Sequence, residues 1–251
     1  MRAFVALAVL CVSCKSTEVA AAPAHGANAG PFVATVSDAP PTPSPVQPSR
    51  RTYVVAALGD SLTDQKVAGG GYLKRLGELC PESRFVSFGK GGDMVNQMRR
   101  RFVHDVFEGA PDGNDGFTHL IVFGGVNDLY SDLTAGRTVP KISADLSAIY
   151  AEGHRRGVEV VAVTVTPWGG FKKYFNETRS AATGVLNRWI MAQRGTGADF
   201  VVDAFPLLSC GDRDFLCEAY ARPFKDGLHF GKEGHARLGD ALHREVFADC
   251  R

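Results

Sequence analysis

The amino-acid sequence predicts an α/β fold, a three-layer α/β/α sandwich built on a mainly parallel sheet of five strands. Two observations lead to this prediction. Five short apolar runs, rich in β-branched residues and followed by glycine, proline or a polar residue, are typical of buried strands. Amphipathic helical repeats lie between these runs. Strands that alternate with such helices form parallel sheets whose two faces are both covered.

The elements can be placed in chain order. The predicted strands cover residues 52–58, 84–88, 118–123, 158–165 and 199–203. Apolar residues recur at helical spacing in the segments 94–106, 142–150, 185–190 and 232–247. Within the first of these helices, Arg99, Arg100 and Arg101 are expected to face largely outward, as a solvated surface. Ligands of open parallel sheets bind beyond the carboxyl ends of the strands, so functional residues are expected there.

Composition excludes several classes of protein. The chain has 251 residues, with 28 lysines and arginines against 27 acidic residues, a formal net charge of +1. Residues 51–251 carry 25 charges of each sign. A balanced domain of this kind disfavours a nucleic-acid-binding surface and an acidic solvating tail. No apolar run reaches the ~18 residues that a membrane-spanning helix needs.

The N-terminus has the pattern of an export signal. Arg2 is followed by a short uncharged apolar run that ends at Ser13-Cys14, which predicts a signal peptide over residues 1–19. A buried N-terminal helix is the alternative. Val12-Ser13-Cys14 also resembles a bacterial lipobox, in which Cys14 would be lipidated. We therefore expect an exported protein that is periplasmic, an outer-membrane lipoprotein or secreted.

A flexible segment is expected between the signal and the domain. Residues 20–50 contain 7 of the 13 prolines and 8 alanines, a composition that buries little and stays extended. This segment is interpreted as a disordered tether, which leaves residues 51–251 as the working domain.

The cysteines agree with export. Four of them lie in the domain, at Cys80, Cys210, Cys217 and Cys250, and an even number permits two disulfides in three pairings. Cys210 and Cys217 are close in sequence, so this pair is the first choice, and Cys80 with Cys250 would follow by elimination. Free buried thiols are the alternative. No Cys/His cluster has metal-ligand spacing, so a zinc site is not expected.

Unusual residues follow the first three strands. Ser61, directly after Gly59-Asp60, could be held exposed with its own N–H facing an oxyanion, although Gly-Asp-Ser also describes an ordinary turn. The segment Gly89-Lys90-Gly91-Gly92-Asp93 lets the backbone approach a ligand closely, or forms a tight turn before a helix. Asn127, after Gly124-Gly125, places an amide at the same edge, or belongs to an Asn-Asp turn.

A late loop supplies a candidate base. Asp226 and His229 are three residues apart on a bend just before the last helix. There the carboxylate can orient the imidazole, which can in turn reach Ser61.

Taken together, these fragments resemble the SGNH branch of the GDSL hydrolases over about residues 53–247. The resemblance implies a flavodoxin-like SGNH hydrolase fold. It rests on four blocks in the expected order and spacing: Gly59-Asp60-Ser61-Leu62, Gly91-Gly92-Asp93, Gly125-Val126-Asn127-Asp128 and Asp226-Gly227-Leu228-His229. Block two departs most from the family pattern, because Gly89, Gly91 and Gly92 are all available; Gly92 is preferred since it directly precedes Asp93.

The resemblance implies an exported serine esterase that cleaves a small acyl ester, either a carbohydrate O-acetyl group or a short-chain lipid ester. Ser61 would be the nucleophile, His229 the base and Asp226 its partner. The N–H groups of Ser61 and Gly92 and the Asn127 amide would form the oxyanion hole. No metal or organic cofactor is needed, no nucleic-acid partner is implied, and a monomer is expected, with a membrane contact only through a lipid anchor.

Other residues and functions stand beside this interpretation. Trp168 follows the fourth strand and is expected to contact substrate, or to pack in the core, with Phe171, Tyr174 and Phe175 nearby. Acyl length would depend on the loops at 64–72, 129–140 and 166–178.

The alternatives to hydrolysis are O-acyl transfer to an envelope glycan and a non-catalytic carbohydrate-binding domain. Five other histidines are expected to be structural: His104, His119, His154, His235 and His243.

Overall fold

The computed structural model describes residues 50–108 and 116–251. The predicted signal peptide, Cys14 and nearly all of the predicted tether lie outside these residues. None of the described helices combines the length and the apolar character that crossing a membrane requires.

A parallel sheet of five strands forms the centre of the fold. The strands are β1 (Val54–Gly59), β2 (Arg84–Gly89), β3 (His119–Phe123), β4 (Glu159–Val163) and β5 (Phe200–Val202). Their spatial order is β2-β1-β3-β4-β5, and every neighbouring pair is parallel. In the register, Gly59 at the end of β1 lies beside Gly89 of β2 and Phe123 of β3. The predicted α/β fold and its five strands are confirmed, and the carboxyl ends of the central strands meet at one edge.

Helices connect the strands. They are α1 (Gly71–Leu79), α2 (Val95–Phe102), α3 (Val126–Tyr130), α4 (Val139–Arg155), α5 (Glu177–Met191), α6 (Ala204–Leu208), α7 (Glu218–Ala221) and α8 (Lys232–Val246). A 3-10 turn at Gln65–Val67 precedes α1, and a π-helical segment, Val103–Glu108, continues α2. The Asn176 side chain accepts the Arg179 N–H and so caps α5. A left-handed glycine, Gly157, with φ +77°, lets the chain turn back into β4 after α4.

Two hydrophobic cores lie on opposite faces of the sheet. Alternate residues of β1 separate them: Ala56 and Leu58 face one core, and Val55 and Ala57 the other. Side chains of α2, α4 and α5 fill the first core, and those of α1 and α8 fill the second. This arrangement is the predicted three-layer sandwich, since each strand is covered on both sides.

A short antiparallel pair was not predicted from the sequence. It consists of β6 (Ser209–Cys210) and β7 (Asp212–Leu216), and lies between α6 and α7. Cys210 and Cys217 are joined by a disulfide at this hairpin, and Cys80 at the end of α1 is joined to Cys250 near the C-terminus. The structure therefore has the pairing that the sequence favoured.

Candidate active site

The four motifs predicted from the sequence come together at the carboxyl edge of the sheet. Ser61, Gly92, Asn127, Asp226 and His229 all line one cleft of about 420 Å³. The remaining lining residues are largely apolar: Val67, Gly91, Tyr130, Phe171, Phe224 and Leu228. Residues from five different segments of the chain thus share one concave site.

Ser61 lies in a tight turn that begins where β1 ends. The Asp60 carbonyl accepts the N–H groups of Thr63 and Asp64, and the Asp60 side chain accepts the Leu62 N–H at 3.0 Å. These bonds hold the turn so that the Ser61 hydroxyl reaches the cleft. Its Oγ lies 2.9 Å from His229 Nε2, a hydrogen-bonding distance.

Asp226 holds the ring of His229. One carboxylate oxygen accepts the N–H groups of Leu228 and His229, each at 2.9 Å, and the other lies 2.6 Å from His229 Nδ1. Burial alone would raise the pKa of Asp226, but these hydrogen bonds from Leu228 and from the ring and N–H of His229 outweigh it and lower that pKa. The carboxylate is therefore ionised at neutral pH and faces the imidazole.

The loop that carries this pair crosses another loop at two glycines. Gly227 has φ +73°, and a Cβ there would lie 2.0 Å from the Gly170 carbonyl carbon. Only glycine permits this backbone contact, which joins the Asp226–His229 loop to the loop that follows β4.

Two backbone N–H groups beside the cleft are without an acceptor among the described residues. The N–H groups of Ser61 and Gly92 have no hydrogen-bond acceptor within the described parts of the chain, whereas the Gly91 N–H donates to Asp64 Oδ2 at 2.9 Å. Gly92 has φ +80° and open space around its Cα. Of the three glycines in this segment, Gly92 is therefore the one whose N–H is available beside the cleft.

Asn127 is at the cleft, but its amide is already engaged. The Nδ2 group donates to the Asp93 carbonyl at 2.8 Å and, more weakly, to Asp60 Oδ2 at 3.3 Å. The side chain is buried. Its predicted role as an oxyanion donor would require one of these two bonds to be exchanged.

Comparison with known proteins agrees with this geometry. The family model of the GDSL-like lipase/acylhydrolase family matches residues 57–237. The chain belongs to this family. It is an ester hydrolase, as the family and its esterase structural neighbours indicate.

Solved structures share the fold of this acylhydrolase. A variant of an acetyl xylan esterase from Geobacillus stearothermophilus has a TM-score of 0.62 at 18% identity, over 79% of this chain and 96% of that one. A lipase/acylhydrolase from Enterococcus faecalis has a TM-score of 0.58 at 20% identity, over 80% and 98%. A GDSL-like lipase from Bacteroides thetaiotaomicron has a TM-score of 0.59 at 18% identity, over 76% and 86%. No curated protein sequence matches the chain significantly.

The Asp60 carboxyl group of this acylhydrolase is buried beneath the turn that carries Ser61, which was not predicted from the sequence. The pKa of Asp60 is raised to about 7, mainly because the carboxyl group is buried. The hydrogen bond from the Leu62 N–H lowers this pKa, and the nearby carboxylates of Asp128 and Asp93 raise it. Asp128 accepts the Val95 N–H at 2.8 Å. In the sequence, Asp60 after Gly59 and Asp128 after Asn127 could have indicated this buried acidic group.

The Arg101 side chain does not face solvent, contrary to the prediction for Arg99, Arg100 and Arg101. Its guanidinium donates to the carbonyls of Gly59 and Phe88, both at 2.9 Å, and to the Asp93 carboxylate at 2.6 Å. It thus joins the ends of β1 and β2 to the residue that follows Gly92. Three consecutive helical residues span about 200° of the helix surface, so not all three arginines can face solvent.

Trp168 corrects the prediction of a substrate contact in the acylhydrolase cleft. Its side chain is fully buried, its Nε1–H donates to Thr183 Oγ1 at 3.0 Å, and its ring packs perpendicular to Phe175. The largest aromatic side chain of this loop therefore packs in the hydrophobic core. Phe171 lines the cleft in its place, with its ring 5.8 Å from that of Tyr130.

The histidines that were predicted to be structural do not line the cleft. None of the five other histidines of residues 50–108 and 116–251 is among the lining residues. His243 lies close to Cys80 and Cys250, but the two sulfur atoms are bonded to each other, so this group does not fit a metal ion.

Proposed function

We propose that this acylhydrolase is a serine esterase that acts through an acyl-enzyme. The hydrogen-bonded series from Ser61 Oγ to His229 Nε2 and from His229 Nδ1 to Asp226 carries the proposal. A nucleophile, a base and a group that orients the base stand in the order that such catalysis requires.

In the first half of the reaction, Ser61 Oγ attacks the ester carbonyl carbon and its proton passes to His229 Nε2. The Asp226 carboxylate stabilises the imidazolium that forms. The C–O bond to the alcohol then breaks, and the alcohol leaves with the proton from His229. In the second half, water attacks the acyl carbonyl carbon and His229 takes a proton from it. The bond to Ser61 Oγ then breaks, Ser61 receives the proton from His229, and the carboxylic acid leaves.

The negative charge that develops on the carbonyl oxygen is stabilised by the N–H groups of Ser61 and Gly92. We propose that Asn127 adds a third donor by exchanging its weaker bond, 3.3 Å from Asp60, for the oxyanion. The stronger bond to the Asp93 carbonyl keeps the amide in place.

The proposed substrate is a small acyl ester, either a carbohydrate O-acetyl group or a short-chain lipid ester. The cleft of about 420 Å³, with the rings of Tyr130, Phe171 and Phe224 in its walls, suits a short acyl group. The structural neighbour from Geobacillus stearothermophilus is itself an acetyl xylan esterase. Transfer of the acyl group to a sugar hydroxyl in place of water is the alternative, and the released products distinguish it from hydrolysis.

Active-site labelling tests the mechanism. A fluorophosphonate probe followed by peptide mass spectrometry should modify Ser61, and a His229→Ala variant should react far more slowly. Ser131→Ala, which changes another serine at the same edge, should label like the wild type. Labelling at a residue other than Ser61, or equal labelling of His229→Ala, would contradict the proposal.

We also propose that the protein is exported, which is supported by the apolar run after Arg2 and by the two disulfides. If Cys14 is lipidated, the protein from its native host partitions into detergent and Cys14→Ser releases it. Aqueous partitioning of the wild type would contradict a lipid anchor, and retention in the cytoplasm would contradict export.

A further inference from the structure

The lysines of the described chain are concentrated around the cleft. Five of the eight lysines in residues 50–108 and 116–251 lie on the loops that surround it, and all five are exposed. These five residues, here called the basic rim, are Lys66, Lys90, Lys172, Lys173 and Lys225. Four of them are sequence neighbours of residues that line the cleft: Val67, Gly91, Phe171 and Phe224.

No lysine of the rim forms an ion pair with any described residue. Lys173 instead lies over the Tyr174 ring, with its ammonium 5.1 Å from the ring centroid.

Four acidic side chains of the same loops have hydrogen-bond or ion-pair partners other than the lysine side chains. Asp64 accepts the N–H groups of Lys66 and Gly91, and Asp93 is paired with Arg101. Asp132 is held by Arg179, and Asp226 by His229. Five exposed lysines that form no ion pair with a described residue thus surround the cleft of a domain whose total charge is balanced.

Apolar side chains are exposed on the same side. Four large apolar residues are exposed in the described chain. Three of them lie at this edge: Val67 in the 3-10 turn, Leu133 between α3 and α4, and Phe215 in β7. Leu133 is 86% exposed, although it follows Asp132, which Arg179 fixes in place. The backbone next to Phe215 is also held, because the Asp214 carbonyl accepts the Gly169 N–H.

We propose that this surface docks on an anionic lipid surface, with the cleft opening toward the lipid. The lysines of the basic rim would contact headgroup phosphates, and Val67, Leu133 and Phe215 would enter the interfacial layer. Basic side chains beside exposed apolar ones are the combination that binds proteins to such surfaces. A dissolved acidic glycan would satisfy the lysines but would leave Leu133 in water. Docking does not depend on the catalytic role of Ser61.

Vesicle cosedimentation tests the proposal with residues 20–251, which lack Cys14 and therefore any lipid anchor. The protein carries Ser61→Ala, which prevents hydrolysis during the assay. We expect at least ~10-fold tighter binding to vesicles containing phosphatidylglycerol than to pure phosphatidylcholine, and weaker binding at high salt. Equal binding to both vesicle types, or no binding to either, would overturn the proposal.

Matched variants locate the surface. Replacing Lys66, Lys90, Lys172 and Lys225 with glutamine should weaken binding to the anionic vesicles roughly 600-fold, since each lysine near such a surface is worth ~5-fold. The same change at Arg51, Arg155, Arg156 and Arg244, four exposed cations at the opposite edge of the sheet, should have little effect. Leu133→Ser should weaken binding while Val185→Ser, an exposed valine on α5, does not. Equal losses in the rim and control variants, or binding to polygalacturonate in place of vesicles, would contradict a lipid surface.

Discussion

The carboxylate of Asp64 accepts the N–H of Gly91 at 2.9 Å. This bond joins the turn that carries Ser61 to the glycine segment that follows β2. Because it occupies the Gly91 N–H, the neighbouring Gly92 N–H is the one that can serve an oxyanion. The relationship thus gives a physical basis for choosing between glycines that the sequence motif alone leaves nearly equivalent.

A pair of glycine variants tests this choice. Gly92 and Gly157 have similar left-handed conformations, with φ +80° and +77°, and at either position an added Cβ would have no atom within 4 Å. Alanine at either site should cost about 1–2 kcal/mol of stability, because a side chain disfavours this region. Only Gly92→Ala should reduce kcat, by at least ~10-fold, since relaxing the strain reorients an oxyanion donor. Equal kcat values for the two variants would count against Gly92.

The buried carboxyl of Asp60 should make stability depend on pH. Its pKa of about 7 in the folded state lies above the ordinary value of 3.8, so the folded protein binds more protons between these limits. The contribution of Asp60 to stability is therefore fully present below about pH 4 and is lost as the pH rises to about 7. Urea unfolding of the wild type and Asp60→Asn should show a difference in unfolding free energy that falls over this range. Parallel pH curves for the two proteins would contradict a raised pKa.

Acyl preference should follow Phe171 and not Trp168. Phe171 lines the cleft, whereas Trp168 is enclosed by the core. Phe171→Ala enlarges the cleft, so its kcat/KM should shift toward longer p-nitrophenyl esters relative to the acetate. Trp168→Phe removes a buried hydrogen bond to Thr183 and should lower stability by about 1–3 kcal/mol without changing the acyl profile. A changed profile for Trp168→Phe alone would reverse this assignment.

The two disulfides should contribute unequally to stability. Cys80–Cys250 spans 170 residues of sequence and Cys210–Cys217 spans 7. Loop-closure entropy gives about 5 kcal/mol for the first and about 2.5 kcal/mol for the second. Urea denaturation of the two double alanine variants should therefore show the larger loss for Cys80→Ala with Cys250→Ala. The opposite order would indicate that the short hairpin is held mainly by its disulfide.

Regular features of the fold could be predicted because they repeat along the chain. The strands before Ser61 and Asn127 are continuous apolar runs, and the parallel sheet brings their ends to one edge. Arg101 and Trp168 could not be placed in this way. The orientation of each side chain depends on partners that are distant in sequence or come from other elements. Arg101 binds two strand-end carbonyls and Asp93, and Trp168 packs in the core and donates to Thr183. The engagement of the Asn127 amide by Asp93 is likewise a tertiary contact that no local pattern encodes.

The most direct measurement is p-nitrophenyl acetate hydrolysis by the purified protein beside its Ser61→Ala variant, with circular dichroism spectra of both. We predict that activity disappears with the Ser61 hydroxyl while the spectrum is unchanged, because the hydroxyl 2.9 Å from His229 supplies the nucleophile. Ester hydrolysis that persists at the wild-type rate in a folded Ser61→Ala protein would contradict this mechanism.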